Sequence, residues 1–170
     1  MRYPNLSRLR SSCLRLRGDS GNAMIELALV MAFLGIPLLL GTSEMAILVY
    51  DSIEISNAAR AASAYGMQSL TFASNTSGMT TAAQTEASDF GAALSVTPTA
   101  YYACSSAVGG TQYTGSNAQS NANAACTGSG NHALEFVQVT TSAAVTPAIH
   151  CPGLASSFTL TGSSVMEVEQ

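Results

Sequence analysis

The chain contains no lysine and no tryptophan, and only 9% of its 170 residues are charged. An ordinary soluble domain carries about 25% charged residues, so this composition does not suit one. Five of the six arginines lie between Arg2 and Arg17, whereas nine of the ten acidic residues lie from Glu26 onward. Nucleic acid is therefore not an expected partner, because lysine and arginine are the residues that neutralise phosphates.

The sequence also lacks the common patterns of catalytic and metal sites. It has no CxxC, HExxH, GxSxG or phosphate-loop motif. The two histidines are His132 and His150, and His150 is followed directly by Cys151. Adjacent side chains on a strand point to opposite faces, so this pair does not predict a nucleophile with its base or a metal site. We expect no catalytic residue, no metal and no cofactor, and hence no enzyme.

One long apolar run is present, over residues 23–50, and it is interrupted only by Glu26 and by the trio Thr42-Ser43-Glu44. As a helix its 28 residues span roughly 42 Å, more than the ~30 Å hydrocarbon core of a bilayer. A cleaved secretory signal has a shorter apolar core, of about 7–15 residues, and a small-residue cleavage site that is missing here. The run therefore predicts a single-pass anchor in contact with membrane lipid.

The distribution of arginine predicts the orientation of this anchor. Arginines before the apolar run and only Arg60 after it fit the positive-inside rule, which keeps the N-terminus in the cytoplasm and exports the residues beyond about 50. Glu26 then lies inside the membrane segment, where a charge costs about 2.5–3.5 kcal/mol and usually has a function. Glu44 has two open interpretations, as a marker of the outer membrane boundary or as a subunit contact.

The helical pattern continues beyond the apolar run. Apolar residues recur at helical spacing on one face: Ile55, Ala58, Ala59, Ala62 and Tyr65. One helix is therefore expected from about Asn22 to about Leu70, with a kink at Pro37, because proline removes a backbone hydrogen bond and clashes with the preceding turn. Gly66 and the polar residues 71–78 supply the stop.

The remaining residues predict a small α+β head. A short helix is expected over 80–91 and strands over 94–104, 134–141 and 157–167, the last with clear apolar and polar alternation. The predicted fold class is α+β: a long N-terminal transmembrane and amphipathic helix with a small exported head of antiparallel strands and one short helix. The expected division is a basic cytoplasmic leader (1–21), a transmembrane helix (22–50), its amphipathic continuation (51–70) and the head (71–170).

Three cysteines follow the leader, and an exported head lies in an oxidising compartment where disulfides persist. A bridge between Cys104 and Cys126 closes a loop rich in glycine and serine, which is worth about 3 kcal/mol in the chain-entropy model. This pairing is favoured, and a pairing that uses Cys151 is the alternative. Either way one cysteine is left over, as a buried thiol or as an intermolecular bridge.

The N-terminal region resembles TadE-like proteins, the pseudopilins or minor pilins of the tight-adherence (Flp, type IVb) pilus system. The likeness covers residues 21–70 well and 133–168 loosely, and the residues between them are unmatched. It is carried by four features: a glycine before an apolar run that contains a glutamate, the segment Pro37-Leu38-Leu39-Leu40, the Gly-x-x-Glu of residues 41–44, and Asn57-Ala58-Ala59-Arg60.

This resemblance implies a function and a set of partners. A membrane prepilin peptidase cuts after Gly21 and leaves Asn22 as the mature N-terminus, and Glu26 pairs with the new α-amino group of an adjacent subunit. The chain is then a structural protein of the bacterial inner membrane with a periplasmic head, and it helps to assemble the pilus with other pilins and pseudopilins and the assembly platform. The alternative is an uncut, anchored periplasmic scaffold or binding module of a secretion system.

Overall fold

The structure is a computed structural model that describes residues 19–106, 109–147 and 156–169. Residues 1–18 of the predicted leader lie outside this part of the chain, as do His150 and Cys151. The chain divides into two compact units between Met45 and Ala46.

The first described elements are helical. Helix α1 covers Asp19–Val30, a single π-helical turn covers Met31–Gly35, and helix α2 covers Ile36–Gly66. The π turn comes just before Pro37, which has no N–H, and the N–H of Ile36 donates to the carbonyl oxygen of Met31 five residues earlier. A π-helical turn is a recognised cause of bends in helices, as is proline. The bend at Pro37 itself stays a prediction.

The second unit contains a sheet and short helices. Helices α3 (Leu70–Ala73) and α4 (Thr76–Glu86) come first, and a 3₁₀ turn over Gly91–Ala93 leads into strand β1. The remaining elements are listed in chain order: β1 (Ser95–Cys104), α5 (Ala118–Ala125), β2 (Ala133–Val145) and β3 (Phe158–Glu167). The strands form an antiparallel sheet in the order β1-β2-β3.

Small residues of α2 form its packed face, and they make the core of this unit possible. The buried positions of the helix are Ile55, Ala58, Ala59, Ala62, Ser63 and Gly66. Val137 and Val139 of β2 belong to the same buried cluster as Ile55. The backbone approach is so close at Gly162 of β3 that an added Cβ atom would lie 2.8 Å from the carbonyl oxygen of Ile55. Alanine, serine and glycine therefore allow the helix to lie directly on the strands.

Polar side chains also join α2 to the sheet. The hydroxyl of Thr141 donates to the carbonyl oxygen of Ile55 at 2.8 Å, and Thr141 is fully buried. The hydroxyl of Ser63 donates to the hydroxyl of Ser164 at 2.8 Å. Buried hydroxyl groups need such partners, because an unsatisfied hydroxyl in an apolar core costs free energy.

A second, smaller cluster contains aromatic side chains from two strands. Tyr101 of β1 and Phe136 of β2 are register partners, and their rings stack with centroids 5.6 Å apart. Ala103 is buried with them and Leu134 packs against them. The sheet therefore holds apolar residues of β2 in two separate clusters.

The α+β fold class is confirmed, with differences at the ends of elements. The long helix ends at Gly66 and not near Leu70, because Ser69 starts α3 by accepting the N–H of Phe72 on its hydroxyl oxygen. Helix α4 begins at Thr76, because the side chain of Asn75 caps it by accepting the N–H of Gly78 at 2.9 Å.

Two further differences concern the rest of the head. Strand β2 extends to Val145, four residues beyond the prediction. The described part has three short helices after Gly66 where the sequence predicts one. Helix α5 falls in the polar stretch between the two cysteines, where no element is predicted.

Candidate functional site

The first candidate site is the apolar surface of the long helix. Residues Asn22–Gly66 form a helix of 45 residues, and none of its most apolar stretch is buried. By length and composition this is the one helix in the described ranges that is able to cross a membrane. Its large side chains are exposed, for example Phe33 at 79% and Met24 at 77%. A surface of this kind suits a single-pass membrane anchor, in which lipid or another apolar helix covers it.

The predicted processing residues and Glu26 lie close together at the start of this helix. Gly21 and Asn22 lie within α1, and Glu26 follows one helical turn after Asn22. Asn22 and Glu26 are both exposed. Within the described residues, no hydrogen bond or ion pair involves the carboxylate of Glu26. This side chain is therefore a carboxylate on an apolar surface, and the described residues offer it no partner.

The two other predicted positions on the helix lie in α2. Glu44 is half-buried, and it takes part in an interaction of its own. Pro37 is the second residue of α2, two residues after the end of the π turn. Neither position lies beside Glu26 in sequence, so the predicted residues do not form one cluster on the helix.

The predicted cysteine pair is bonded in the second unit. A disulfide joins Cys104, the last residue of β1, to Cys126, which ends α5. The Cα atoms of the two cysteines are 5.3 Å apart. Two alanines of α5 are buried, Ala118 and Ala122. The bridge thus ties a short helix, which is too short to be stable alone, to the end of a strand.

An acidic pocket lies between α2 and the segment that follows α4. Its volume is about 220 Å³, and it is lined by Tyr50, Ile53, Glu54, Asn57, Glu86, Ser88 and Asp89. The Oε1 atom of Glu54 accepts the backbone N–H of Asp89 at 3.2 Å. The Oε2 atom of Glu54 is buried and accepts no hydrogen bond from the described residues.

This acidic pocket is a feature that the sequence does not predict. Glu54 and Asp89 are 35 residues apart, so only the tertiary fold brings them together. The helical pattern places Glu54 off the apolar face of α2. This placement is the only indication of the acidic pocket that the sequence contains.

A second depression, of about 480 Å³, lies at the end of the sheet. Its lining residues are Met67, His132, Leu134, Glu167, Val168 and Glu169. The backbone N–H of Glu169 donates to the carbonyl oxygen of Met67 at 2.8 Å, which ties the chain after β3 to the end of α2. The ring of His132 contacts the carbonyl oxygen of Gly130 at 3.4 Å. The His132 contact is local to a turn and the Glu169 contact joins two chain segments, and neither forms a set of reactive groups among the described residues.

Among the described residues, the most perturbed titratable group is a tyrosine in the sheet. The hydroxyl of Tyr102 donates to the Oε2 atom of Glu135 at 2.6 Å, across the β1-β2 pair. Burial, the hydrogen bond to Glu135 and the charge of Glu135 raise the pKa of Tyr102 to about 12. At neutral pH this tyrosine is a proton donor in a structural hydrogen bond. It is unsuited to act as a base.

The described residues contain no group of three or more histidine, cysteine, aspartate or glutamate side chains that is arranged to hold a metal ion. What they do contain is an exposed apolar helix that can cross a membrane, together with a small disulfide-bonded α+β unit. These features are compatible with the class of proteins that have a single-pass anchor and a small folded head. No family model, curated protein or solved structure matches the chain.

Proposed function

We propose that the chain is a TadE-like pseudopilin or minor pilin, a membrane-anchored structural protein that takes part in assembling a Flp-type, type IVb pilus. Its helix anchors it in the bacterial inner membrane with the N-terminus in the cytoplasm and the head in the periplasm. It is processed by a prepilin peptidase and meets other pilins, pseudopilins and the assembly platform. It performs no catalysis of its own.

The observation that carries this proposal is the position of Glu26 on an exposed apolar helix. It is the only charged residue between Asp19 and Glu44. A carboxylate in a bilayer needs an opposite charge, and the described chain offers it none. The resemblance to TadE-like proteins supplies a suitable partner, because cleavage after Gly21 creates an α-amino group at Asn22 of a neighbouring subunit.

The packing of the small residues supports the structural role. In the half of α2 that follows Met45, the buried face has Ile55 as its one large apolar side chain, and alanine, serine and glycine let the helix lie on the sheet. The same helix is fully exposed in its apolar segment. The chain thus joins a folded head to a helical surface that is covered only by other molecules, as an assembly subunit requires.

The first test is the mature N-terminus of the protein isolated from membranes of cells that carry the peptidase. We expect Asn22 as the first residue. Gly21→Ala should block this processing, and the matched control Ser20→Ala should leave it intact. An intact Met1 in the unaltered protein would contradict the proposal and support an uncut anchored scaffold. Loss of all residues through Ser43 would indicate a cleaved secretory signal and contradict it as well.

The second test separates processing from assembly. Glu26→Ala should still be cut after Gly21 but should impair pilus formation, because the α-amino group of the neighbour loses its partner. Leu27→Ala, which alters an adjacent apolar residue without changing charge, is the control and should form pili. Pili in normal number with Glu26→Ala would show that the carboxylate does not direct assembly.

A further inference from the structure

We infer that the acidic pocket binds the guanidinium group of Arg60 from a second copy of this chain. The pocket has three carboxylates, Glu54, Glu86 and Asp89. Arg60 is the only lysine or arginine after the leader. Arg60 is therefore the one lysine or arginine on the exported side that a second copy can offer to these carboxylates.

The pocket holds negative charge that its surroundings do not compensate. Glu54 has one carboxylate oxygen bonded to the N–H of Asp89 and one buried oxygen without a hydrogen-bond partner in the described chain. Glu86 and Asp89 are exposed at the rim. An uncompensated carboxylate in a partly buried position is costly, so a cation in the pocket lowers the free energy of the assembly. Arginine suits this role, because its planar guanidinium has five donors and pairs with carboxylates in bidentate geometry.

Arg60 is available for such a contact. Its side chain is exposed on α2. The positions three and four residues away on the helix hold serine, asparagine and alanine, so no carboxylate pairs with Arg60 along its own helix face. Arg60 follows Glu54 by six residues, which is about 9 Å along the helix axis and about 240° around it. The arginine therefore points away from the pocket of its own chain.

The offset between these residues defines how two copies meet. A parallel neighbour shifted by about 9 Å along the helix axis brings Arg60 of one copy level with Glu54 of the next. The surfaces in contact are different on the two copies, so the interface is heterologous. Such an interface repeats into an open array, and it does not close as a dimer. Tyr50 and Ile53, which are 61% and 55% exposed, line the same pocket and add apolar contact area. This contact rests on the proposed function, because a staggered parallel array is what a filament contains.

The lack of lysine gives a direct test. Arg60→Lys places the only side-chain amine in the chain at this position. A zero-length carbodiimide reagent, which joins an amine to a carboxylate in direct contact, is applied to intact cells that express the full chain. Peptide mapping should show an amide between the introduced amine and Glu54, Glu86 or Asp89. Mixed isotope-labelled and unlabelled copies should show that it joins two chains. Mapping to another carboxylate, or only within one chain, would overturn the inference.

Charge reversal provides a second readout. In the Arg60→Lys background, Glu86→Arg should reduce the crosslinked dimer about tenfold, as expected for a close charge pair at an interface. Glu169→Arg, an equal charge change at another exposed glutamate, should leave the yield unchanged. In filament counts, Arg60→Glu and Glu86→Arg should each reduce assembly, and the double variant should restore it. Failure of the double variant to exceed either single variant would contradict the pairing.

The two proposals fail in different ways. If the chain enters filaments but gives no crosslink between the amine and the pocket, the Arg60 contact is wrong and the pilus function stands. If the crosslink forms between chains but cells from which this protein has been deleted make pili in normal number, the contact stands and the pilus function is wrong.

Discussion

The hydroxyl of Thr141 in β2 donates a 2.8 Å hydrogen bond to the carbonyl oxygen of Ile55 in α2, and both residues are fully buried. The carbonyl oxygen of Ile55 is also the atom that an added Cβ at Gly162 would approach to 2.8 Å. One point of the helix backbone is therefore in contact with two strands. This contact sets the separation between the helix and the sheet.

Removing the hydroxyl should weaken this junction. Thr141→Val keeps the shape of the side chain but loses the hydrogen bond, at a cost of about 1 kcal/mol in the free energy of unfolding. The measurement is denaturant unfolding of the full chain in detergent micelles, followed by circular dichroism. Thr140→Val, the same change at the exposed neighbour, is the matched control. Equal stability of the two variants would show that the Thr141 bond contributes nothing.

Adding a Cβ atom where Gly162 approaches the helix should lower the free energy of unfolding more than Thr141→Val does. Gly162→Ala places a Cβ atom 2.8 Å from the carbonyl oxygen and the Cα atom of neighbouring helix residues and 2.9 Å from Oγ1 of Thr141. Two of these are backbone atoms that cannot rotate away, so the helix must shift, at a cost of about 1–3 kcal/mol. Ser163→Ala lies next to it on the exposed face of β3 and should change stability little. An unfolding midpoint for Gly162→Ala at or above that of the control would refute the close packing.

The parts of this fold that the sequence predicts are those with a local period. The recurrence of Ile55, Ala58, Ala59 and Ala62 predicts one face of a helix, and all four are buried. The alternation in β3 predicts a strand with one polar face, and Thr159 and Thr161 are exposed there. In both cases the pattern can be recognised within a few residues, because side chains on one face recur every turn in a helix and every second residue in a strand.

The parts that the sequence does not predict depend on distant residues. Helix α5 has no apolar residue larger than alanine, and it is held by the Cys104–Cys126 bridge and by contacts with β1 and β2. The cap at Asn75 lies in a polar cluster that is equally typical of a loop. The acidic pocket requires residues of α2 and of the segment after α4 to meet, which no local pattern reveals.

Loss of the disulfide should destabilise the head. The bridge spans a sequence separation of 22 residues, and closing a loop of that size is worth about 3 kcal/mol in the chain-entropy model. We therefore expect the double variant Cys104→Ser, Cys126→Ser to unfold at a lower denaturant concentration than the unaltered chain, measured without reductant. With both variants prepared as the unprocessed chain, Cys13→Ser changes a cysteine of the leader and should have no such effect. A midpoint in the double variant equal to that of this control would show that the bridge does not constrain the unfolded chain.

Alkaline pH should weaken the sheet through Tyr102. Its pKa is raised from 10.0 to about 12, first by burial and then by the hydrogen bond to Glu135 and the charge of Glu135. The unfolded chain therefore releases this proton at a lower pH than the folded chain does. The stabilisation is fully present below pH 10 and is lost as the pH rises towards about 12.

The titration of this single tyrosine is measured from the phenolate absorbance of the unaltered chain minus that of Tyr102→Phe. Glu135→Gln should lower the pKa of Tyr102, because it removes the negative charge and weakens the acceptor, while burial still keeps the pKa above 10.0. Tyr50→Phe alters an exposed tyrosine of α2 and should leave the Tyr102 titration unchanged. An unchanged pKa of Tyr102 in the Glu135→Gln variant would show that burial alone raises this pKa and that Glu135 does not contribute.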